Sequence, residues 1–235
     1  MNECVVGSKQ LGGHTVLFKN RDRNYIPQVE IVHELLNNVE VLYMHDLITG
    51  WSEGMNEFGI SLVNSSLTVD ADERASEIAS TVNYEPAVTQ ENAKILFVLS
   101  AKNIKTALAR VKSFTGTGKE ETAYGRPVFG HTIISDGKTT YSIECDAESE
   151  VTDSKVKDDL FLRTNHGIDN EKLGYQDGAN IKSSKLRLEI AEKSLVGSKS
   201  TTDILRMLSK MHKNVEGKDN PFRSIKKING KKLFT

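Results

Sequence analysis

Three two-residue turn signals, each set between apolar runs, constrain the fold of this chain more than any other feature. They are Gly12-Gly13, Asn37-Asn38 and Asp136-Gly137. Asn, Asp and Gly accept the left-handed backbone of a tight hairpin turn, so each pair predicts a β-hairpin. The flanking runs predict strands at 4–6, 15–18, 29–36, 39–44, 129–135 and 139–145.

Helical patterns follow these strands. Apolar residues recur at helical spacing over 90–113 and 183–195, and Ser200-x-x-Asp203 resembles a capping box that opens a helix ending near His212. Short apolar runs predict further strands at 60–63 and 160–164, and the polar stretch 65–89 predicts an excursion over the surface. The order of strands, helices, strands and helices predicts a single α+β domain over 1–235, in which helices cover an antiparallel two-sheet core.

Composition and charge exclude several classes of protein. With 31 Lys+Arg against 32 Asp+Glu, the chain is not a dedicated nucleic-acid binder. No apolar run approaches the roughly 20 residues of a transmembrane helix, and the first residues lack the pattern of a signal peptide. We therefore expect a cytoplasmic protein with no membrane partner, in which Cys4 and Cys145 are reduced thiols. The basic stretch 210–232 is either a solvated segment or a partner contact.

Cys4 is the first candidate for chemistry, because it opens an apolar run close to the start of the sequence. If residues 1–3 were removed, Cys4 would carry a free α-amino group beside its own thiol. A typical α-amino group has a pKa of about 7.7–8 and a typical thiol about 8.5, so such an amine could act as the base that activates the sulfur. The alternative is that Cys4 is a small buried hydrophobe.

The second candidate is the charged run Lys19-Asn20-Arg21-Asp22, which follows an apolar strand. Alternate residues of a strand share a face, so Lys19 and Arg21 lie on one face and Asn20 and Asp22 on the other. A carboxylate next to cations at a strand end could orient an amine. The alternative is a charged turn.

Two asparagines follow predicted strands and could donate to a developing oxyanion. Asn64 ends the strand that follows the segment Gly54-Met55-Asn56-Glu57-Phe58-Gly59, and Asn165 stands in Thr164-Asn165-His166-Gly167. His166 has no partner at the spacing of metal ligands, and the six histidines form no zinc pattern. Neither a metal nor an organic cofactor is expected. Polar packing is the alternative role for His166.

Taken in their order along the chain, the candidate residues and motifs described above resemble those of the N-terminal-nucleophile (Ntn) hydrolases with an N-terminal cysteine. The nearest group contains acyl-coenzyme A:6-aminopenicillanic acid acyltransferase, and penicillin V acylase and bile salt hydrolase are more distant. The resemblance spans most of the chain and includes Glu144. Its motifs are Cys4, the run 19–22, the segment 54–64, the hairpin 129–145, Thr164-Asn165-His166 and Ser183-Ser184-Lys185-Leu186-Arg187.

The resemblance implies a four-layer αββα sandwich and self-cleavage in front of Cys4, which would separate a short propeptide, 1–3, from a mature chain, 4–235. Cys4 would be the nucleophile and its freed amine the base, held by Asp22. Asn64 and Asn165 would line the oxyanion hole. The reaction would pass through a thioester on Cys4, with transfer of the acyl group to water or to an amine.

Three departures from the family pattern qualify the implied site. Where relatives have Arg-Asn-x-Asp, either Lys19 or Arg21 takes the place of the arginine, and Lys19 is preferred. Arg223 is the candidate for a late arginine, and the sequence ends where relatives continue into closing strands, so the sheet is expected to lack one or more strands. Tyr25, His166 and Arg223 are candidate substrate-binding residues.

The expected function is an amidohydrolase or acyltransferase that acts on a non-peptide C–N bond of a small-molecule amide. One alternative is a dipeptidase-like cysteine peptidase of the same fold. The other is a catalytically silent protein that keeps the fold for binding or structure. Substrate identity would be set by the loops at 20–28, 65–89 and 115–127. A homo-oligomer is an alternative to a monomer.

Overall fold

The computed structural model describes residues 3–22, 28–47, 52–65, 67, 95–114, 130–145, 152–171, 178–209, 225–228 and 231–234. Most of the secondary structure is β-strand. The strands are β1 (Glu3–Leu11), β2 (His14–Asp22), β3 (Val29–Leu36), β4 (Val39–Asp46), β5 (Ser52–Asn56), β6 (Ser61–Ser65), β7 (Gly130–Ser135), β8 (Thr140–Cys145), β9 (Thr152–Lys155), β10 (Leu160–Arg163), β11 (Ile225–Ile228) and β12 (Lys231–Phe234). The helices are α1 (Ile104–Phe114), α2 (Gly178–Leu195) and α3 (Thr201–Ser209), and residues 95–99 are also helical. Within these ranges, no helix combines the length and the apolar character that a membrane span needs.

The strands form three antiparallel sheets. The largest has seven strands in the order β3-β4-β5-β6-β7-β8-β9, so each of its strands pairs with its neighbour in sequence. A second sheet has the order β10-β1-β2, which places β1 in its centre. The strands β11 and β12 pair with each other in a separate two-stranded sheet.

All three predicted hairpins are confirmed. Asn37 and Asn38 have φ angles of 50° and 60°, and they connect β3 to β4 as the turn signal predicts. Gly12 and Gly13, with φ angles of 57° and 86°, connect β1 to β2. Between β7 and β8, the Asp136 carboxylate accepts the backbone N–H groups of Lys138 and Thr139 and stabilises the turn.

Several predicted boundaries were wrong, and four strands, β5, β9, β11 and β12, were not predicted. The segment 54–59 was interpreted as a turn, but β5 runs through Asn56 before the chain turns. Gly54 hides the strand pattern because it has no side chain, and a Cβ there would lie 2.4 Å from the Leu42 carbonyl oxygen. Helix α2 begins at Gly178, earlier than predicted. Most of 65–89 and the predicted helix end at 210–212 lie outside the described residues.

Three apolar clusters separate the helices and sheets. The first lies between the seven-stranded sheet and the helical residues 95–99 and α1, and it includes Val41, Leu99 and Ile134. The second lies between the two larger sheets and includes Val6, Ile133 and Phe161. The third lies between the three-stranded sheet and helices α2 and α3, with Val5, Phe18, Leu162, Ala191, Leu195 and Ile204. The described chain is therefore stacked as helices, sheet, sheet and helices.

Asn56 stabilises the turn between β5 and β6 and ties it to the helical residues behind the sheet. Its side-chain NH2 donates to the carbonyl oxygens of Leu99 (2.6 Å) and Ala101 (2.7 Å). Its side-chain oxygen accepts the backbone N–H groups of Phe58 (3.0 Å) and Ile60 (2.9 Å). One buried amide therefore satisfies four backbone groups that have no strand partner at this position.

We predict that Asn56→Asp lowers the free energy of unfolding by about 1–3 kcal/mol. The substitution keeps the size of the side chain but replaces the NH2 group with an oxygen that faces the carbonyls of Leu99 and Ala101. Urea unfolding followed by circular dichroism measures the change. An Asn56→Asp variant as stable as the wild type would show that these hydrogen bonds contribute nothing.

Candidate functional site

The site forms where the pairing between β1 and β10 stops. Their register runs from Lys9↔Leu160 to Val6↔Arg163, and two residues further it would place Asn165 opposite Cys4. There the side chain of Asn165 replaces the strand, since its Oδ1 atom accepts the Cys4 N–H at 2.9 Å. The backbone nitrogen of Cys4 is thus bound by a side chain.

Cys4 lies on the face of the three-stranded sheet that meets the seven-stranded sheet. Cys4 stands two residues before Val6 in β1, so the two side chains share a face, and Val6 belongs to the cluster between the sheets. The Cys4 side chain is buried. Across the strand pair it stands opposite Arg21, and Val6 stands opposite Lys19. The thiol therefore shares a face with both cations.

Arg187 of helix α2 closes the site from the other side of Cys4. Its Nη1 atom donates to the Cys4 carbonyl oxygen at 2.7 Å and to Asn165 Oδ1 at 3.1 Å. The guanidinium is buried, with an exposed fraction of 1%. Sequence reasoning quoted Arg187 only as part of a helix start and assigned the late arginine to Arg223, which lies outside the described residues. A role for Arg187 shows only once α2 packs on β1.

Lys19, Arg21 and Glu53 form a charged cluster next to Asn64. Lys19 Nζ contacts the Glu53 carboxylate and donates to Asn64 Oδ1 at 3.0 Å, and Arg21 Nη2 lies 3.7 Å from Glu53 Oε1. The prediction that Lys19 and Arg21 share a face is confirmed. Glu53 was missed because it belongs to β5, which was not predicted as a strand.

The orientation of Asn64 follows from the chemistry of Lys19. An ammonium group only donates hydrogen bonds, so the atom of Asn64 that faces Lys19 must be its oxygen. The NH2 group of Asn64 is the donor end of the same amide.

Asn165 is fixed by its own backbone as well as by its side chain. Its N–H donates to Ser184 Oγ at 2.9 Å, and that hydroxyl also contacts His166 Nδ1 at 2.8 Å. His166 is buried, and its Nδ1 atom also lies 3.1 Å from Thr164 Oγ1. These contacts assign His166 Nδ1 to polar packing around Asn165.

Two other predicted site residues, Asp22 and Tyr25, lie partly or wholly outside the described residues. The backbone of Asp22 pairs with Glu3 at the end of the hairpin, but its side chain lies outside the described part of the structure. Tyr25 also lies outside it. Among the residues that are described, no group of three or more His, Cys, Asp or Glu side chains could hold a metal ion.

The two histidines behind Asn165 are held neutral by burial. Burial, with Arg163 as a second cause, lowers the pKa of His131 to about 3. Burial, with Lys185 and Arg187 as further causes, lowers the pKa of His166 to about 4. The Nε2 atom of His131 donates to the His166 carbonyl oxygen at 2.9 Å.

As a whole, the arrangement brings a thiol and its own backbone nitrogen together with two asparagine amides and three cationic side chains. Such a set can bind an amide carbonyl, stabilise negative charge on its oxygen and orient an amine. No protein-family model matches the chain, and no curated protein matches it.

We predict that stability falls as the pH drops from about 6.5 towards about 4. Both histidines have a folded pKa below the ordinary value of 6.5, so the unfolded chain binds protons in this range that the folded chain does not. Their contribution is complete above pH 6.5 and is lost as the pH falls towards the folded pKa values.

The measurement is the free energy of unfolding in urea at several pH values, for the wild type and for His131→Gln. Glutamine can still donate to the His166 carbonyl oxygen but does not titrate. The variant should therefore depend less steeply on pH. Identical slopes for the two proteins would contradict the assignment of His131 as a buried neutral ring.

Proposed function

We propose that the chain is a cysteine Ntn hydrolase or acyltransferase that cleaves a non-peptide C–N amide bond through an acyl-thioester on Cys4. The observation that carries this proposal is the bond from the Cys4 nitrogen to Asn165 Oδ1. A nucleophile that uses its own nitrogen as base needs that nitrogen held by an acceptor, and Asn165 provides one. The stacking of helices, sheet, sheet and helices also supports the proposed αββα sandwich.

The first step of the proposed chemistry unmasks the amine. The Cys4 sulfur attacks the carbonyl carbon of Glu3, a C–S bond forms, and the C–N bond to Cys4 breaks as its nitrogen takes a proton. Water then hydrolyses the thioester, so the thiol returns and the segment before Cys4 leaves as a carboxylic acid. Asn165 Oδ1, with Arg187 on the adjacent carbonyl, keeps the new amine in place.

In the proposed catalytic cycle, the free amine takes the thiol proton and the sulfur attacks the substrate carbonyl. The tetrahedral oxyanion collapses, the protonated amine of Cys4 gives its proton to the leaving amine, and an acyl-thioester forms. Water or a second amine then takes the acyl group and regenerates the thiol. Asp22 is the proposed second acceptor for the Cys4 amine.

Asn64 is the first of two proposed oxyanion donors. Lys19 binds its oxygen, which orients the NH2 group for donation, and the positive charge of Lys19 polarises the amide. Asn165, the second proposed oxyanion donor, also holds the amine, because its oxygen accepts the Cys4 N–H. Lys19 thereby takes the place that the family gives to an arginine, and Arg21 adds a second cation beside Cys4.

The decisive experiment compares the intact masses of purified wild type and Cys4→Ala. We predict that the wild type loses all residues before Cys4 and that the variant keeps them, since alanine has no sulfur to attack the Glu3 carbonyl. A wild type that keeps these residues, and turns over neither N-acyl amino acids, penicillin V nor dipeptides, would indicate the silent protein instead. Turnover of dipeptides alone would indicate the peptidase.

We further predict that Asn64→Ala lowers kcat by about 10²–10³, the usual cost of removing one oxyanion donor. KM should change little, because the donor acts on charge that develops after binding. Steady-state kinetics on the best amide substrate measure both constants.

Asn20→Ala is the matched control for this prediction. Asn20 lies next to Lys19, but its NH2 donates to the Leu208 carbonyl oxygen on the helix side of the sheet, at 3.4 Å. Its removal should leave kcat close to the wild-type value. Equal losses in the two variants would argue against an oxyanion role for Asn64.

A further inference from the structure

Glu144 and His131 are two buried residues that the proposed mechanism does not use. They stand opposite each other on β8 and β7, and both have an exposed fraction of 0%. His131 Nδ1 lies 3.4 Å from Glu144 Oε2. Both strands belong to the seven-stranded sheet, whereas Cys4 belongs to the three-stranded sheet.

The Glu144 carboxylate binds three successive backbone N–H groups in the loop after Asn165. Ile168 N–H lies 3.2 and 3.0 Å from its two oxygens, Asp169 N–H lies 3.1 Å from Oε2, and Asn170 N–H lies 2.9 Å from Oε1. Converging backbone N–H groups make a concavity for an anion, and here a side chain of the protein fills it. A carboxylate is costly to bury, so these bonds fix the loop strongly.

His131 holds the same loop one residue after Asn165. A carbonyl oxygen only accepts, so the Nε2 atom that contacts the His166 carbonyl oxygen at 2.9 Å carries the ring hydrogen. Ser65 of β6 is the third residue of this sheet that binds the segment, with its Oγ donating to the Thr164 carbonyl oxygen at 2.6 Å. The segment 164–170 is thus docked on β6, β7 and β8.

We propose that Glu144 and His131 are positioning residues of the Cys4 site: by fixing the segment 166–170 from the opposite sheet, they set where Asn165 Oδ1 meets the Cys4 nitrogen. This inference rests on the proposed function. Asn165 is held by α2 on one side and, through its neighbours, by the β7–β8 hairpin on the other. Since a misplacement of about 1 Å can cost about 10² in rate, loss of the hairpin contacts acts on catalysis as well as on stability.

The test exchanges acid and amide at two matched positions. Glu144→Gln replaces one oxygen with an NH2 group that faces the loop N–H groups. Asn56→Asp makes the reciprocal exchange at a buried side chain of the same sheet, which also makes four hydrogen bonds to the backbone but does so on the helix side. Both variants should lose stability.

Of these two variants, only Glu144→Gln should lose function. At a temperature where both variants are folded, we expect its self-cleavage and kcat to fall at least about tenfold with KM within about twofold, while Asn56→Asp keeps wild-type rates. His131→Gln, which retains a donor for the His166 carbonyl oxygen, should stay near the wild type, and His131→Leu should not. Wild-type rates in Glu144→Gln, or equal losses in Glu144→Gln and Asn56→Asp, would overturn the proposal.

Amide hydrogen exchange separates this inference from the proposed function. In Glu144→Gln, protection should fall at Ile168, Asp169 and Asn170 and also at Asn165, whose N–H binds Ser184. If the wild type neither cleaves itself nor turns over any amide, the proposed function fails, and exchange alone decides on positioning. A loss of protection that stops short of Asn165 would overturn the inference even in an active enzyme.

Discussion

The bond between the Cys4 N–H and the side-chain oxygen of Asn165 is the contact on which the geometry of the site depends. It appears where a strand ladder ends, so it takes a position that a backbone carbonyl would otherwise hold. A ladder carbonyl is fixed by its own strand, whereas the Asn165 oxygen is fixed by Ser184, which binds its backbone, and by Arg187, which binds its side chain. The acceptor therefore keeps its place when the proposed cleavage turns the Cys4 nitrogen from a planar amide into an amine.

Buried charges surround this contact, and each is tied to groups from other elements. Arg187 reaches from α2 to β1, Lys19 reaches from β2 to β5 and β6, and Glu144 reaches from β8 to the loop after β10. Removing one partner of a buried charge costs more than the pair contributes, because the remaining charge stays out of water. The residues of the site are therefore energetically coupled, so that a substitution at one of them changes the contacts of the others.

Sequence reasoning located the hairpins well because their turns are local. Asn37-Asn38 and Gly12-Gly13 need only their own backbone preferences to specify a turn, and the structure has turns there. Strand β5 could not be found in this way, since Gly54 is required by a close approach to β4 that only the paired sheet creates. The missed site residues have the same cause. Glu53 and Arg187 acquire partners only when separate elements pack, whereas Cys4, Asn64 and Asn165 stand at strand ends that the sequence marks.

The distance along the chain between the partners of Cys4 has a consequence for the order of folding. The β1–β2 hairpin is local, but the contact with Asn165 joins residues 161 positions apart and the contact with Arg187 joins residues 183 positions apart. Contacts of such separation pay a large loop-closure entropy and form late. A nascent or partly folded chain therefore has its cysteine but lacks its Asn165 and Arg187 partners. Any chemistry at Cys4 that needs those partners begins only after α2 has docked. Completion of the fold therefore determines when such chemistry can start.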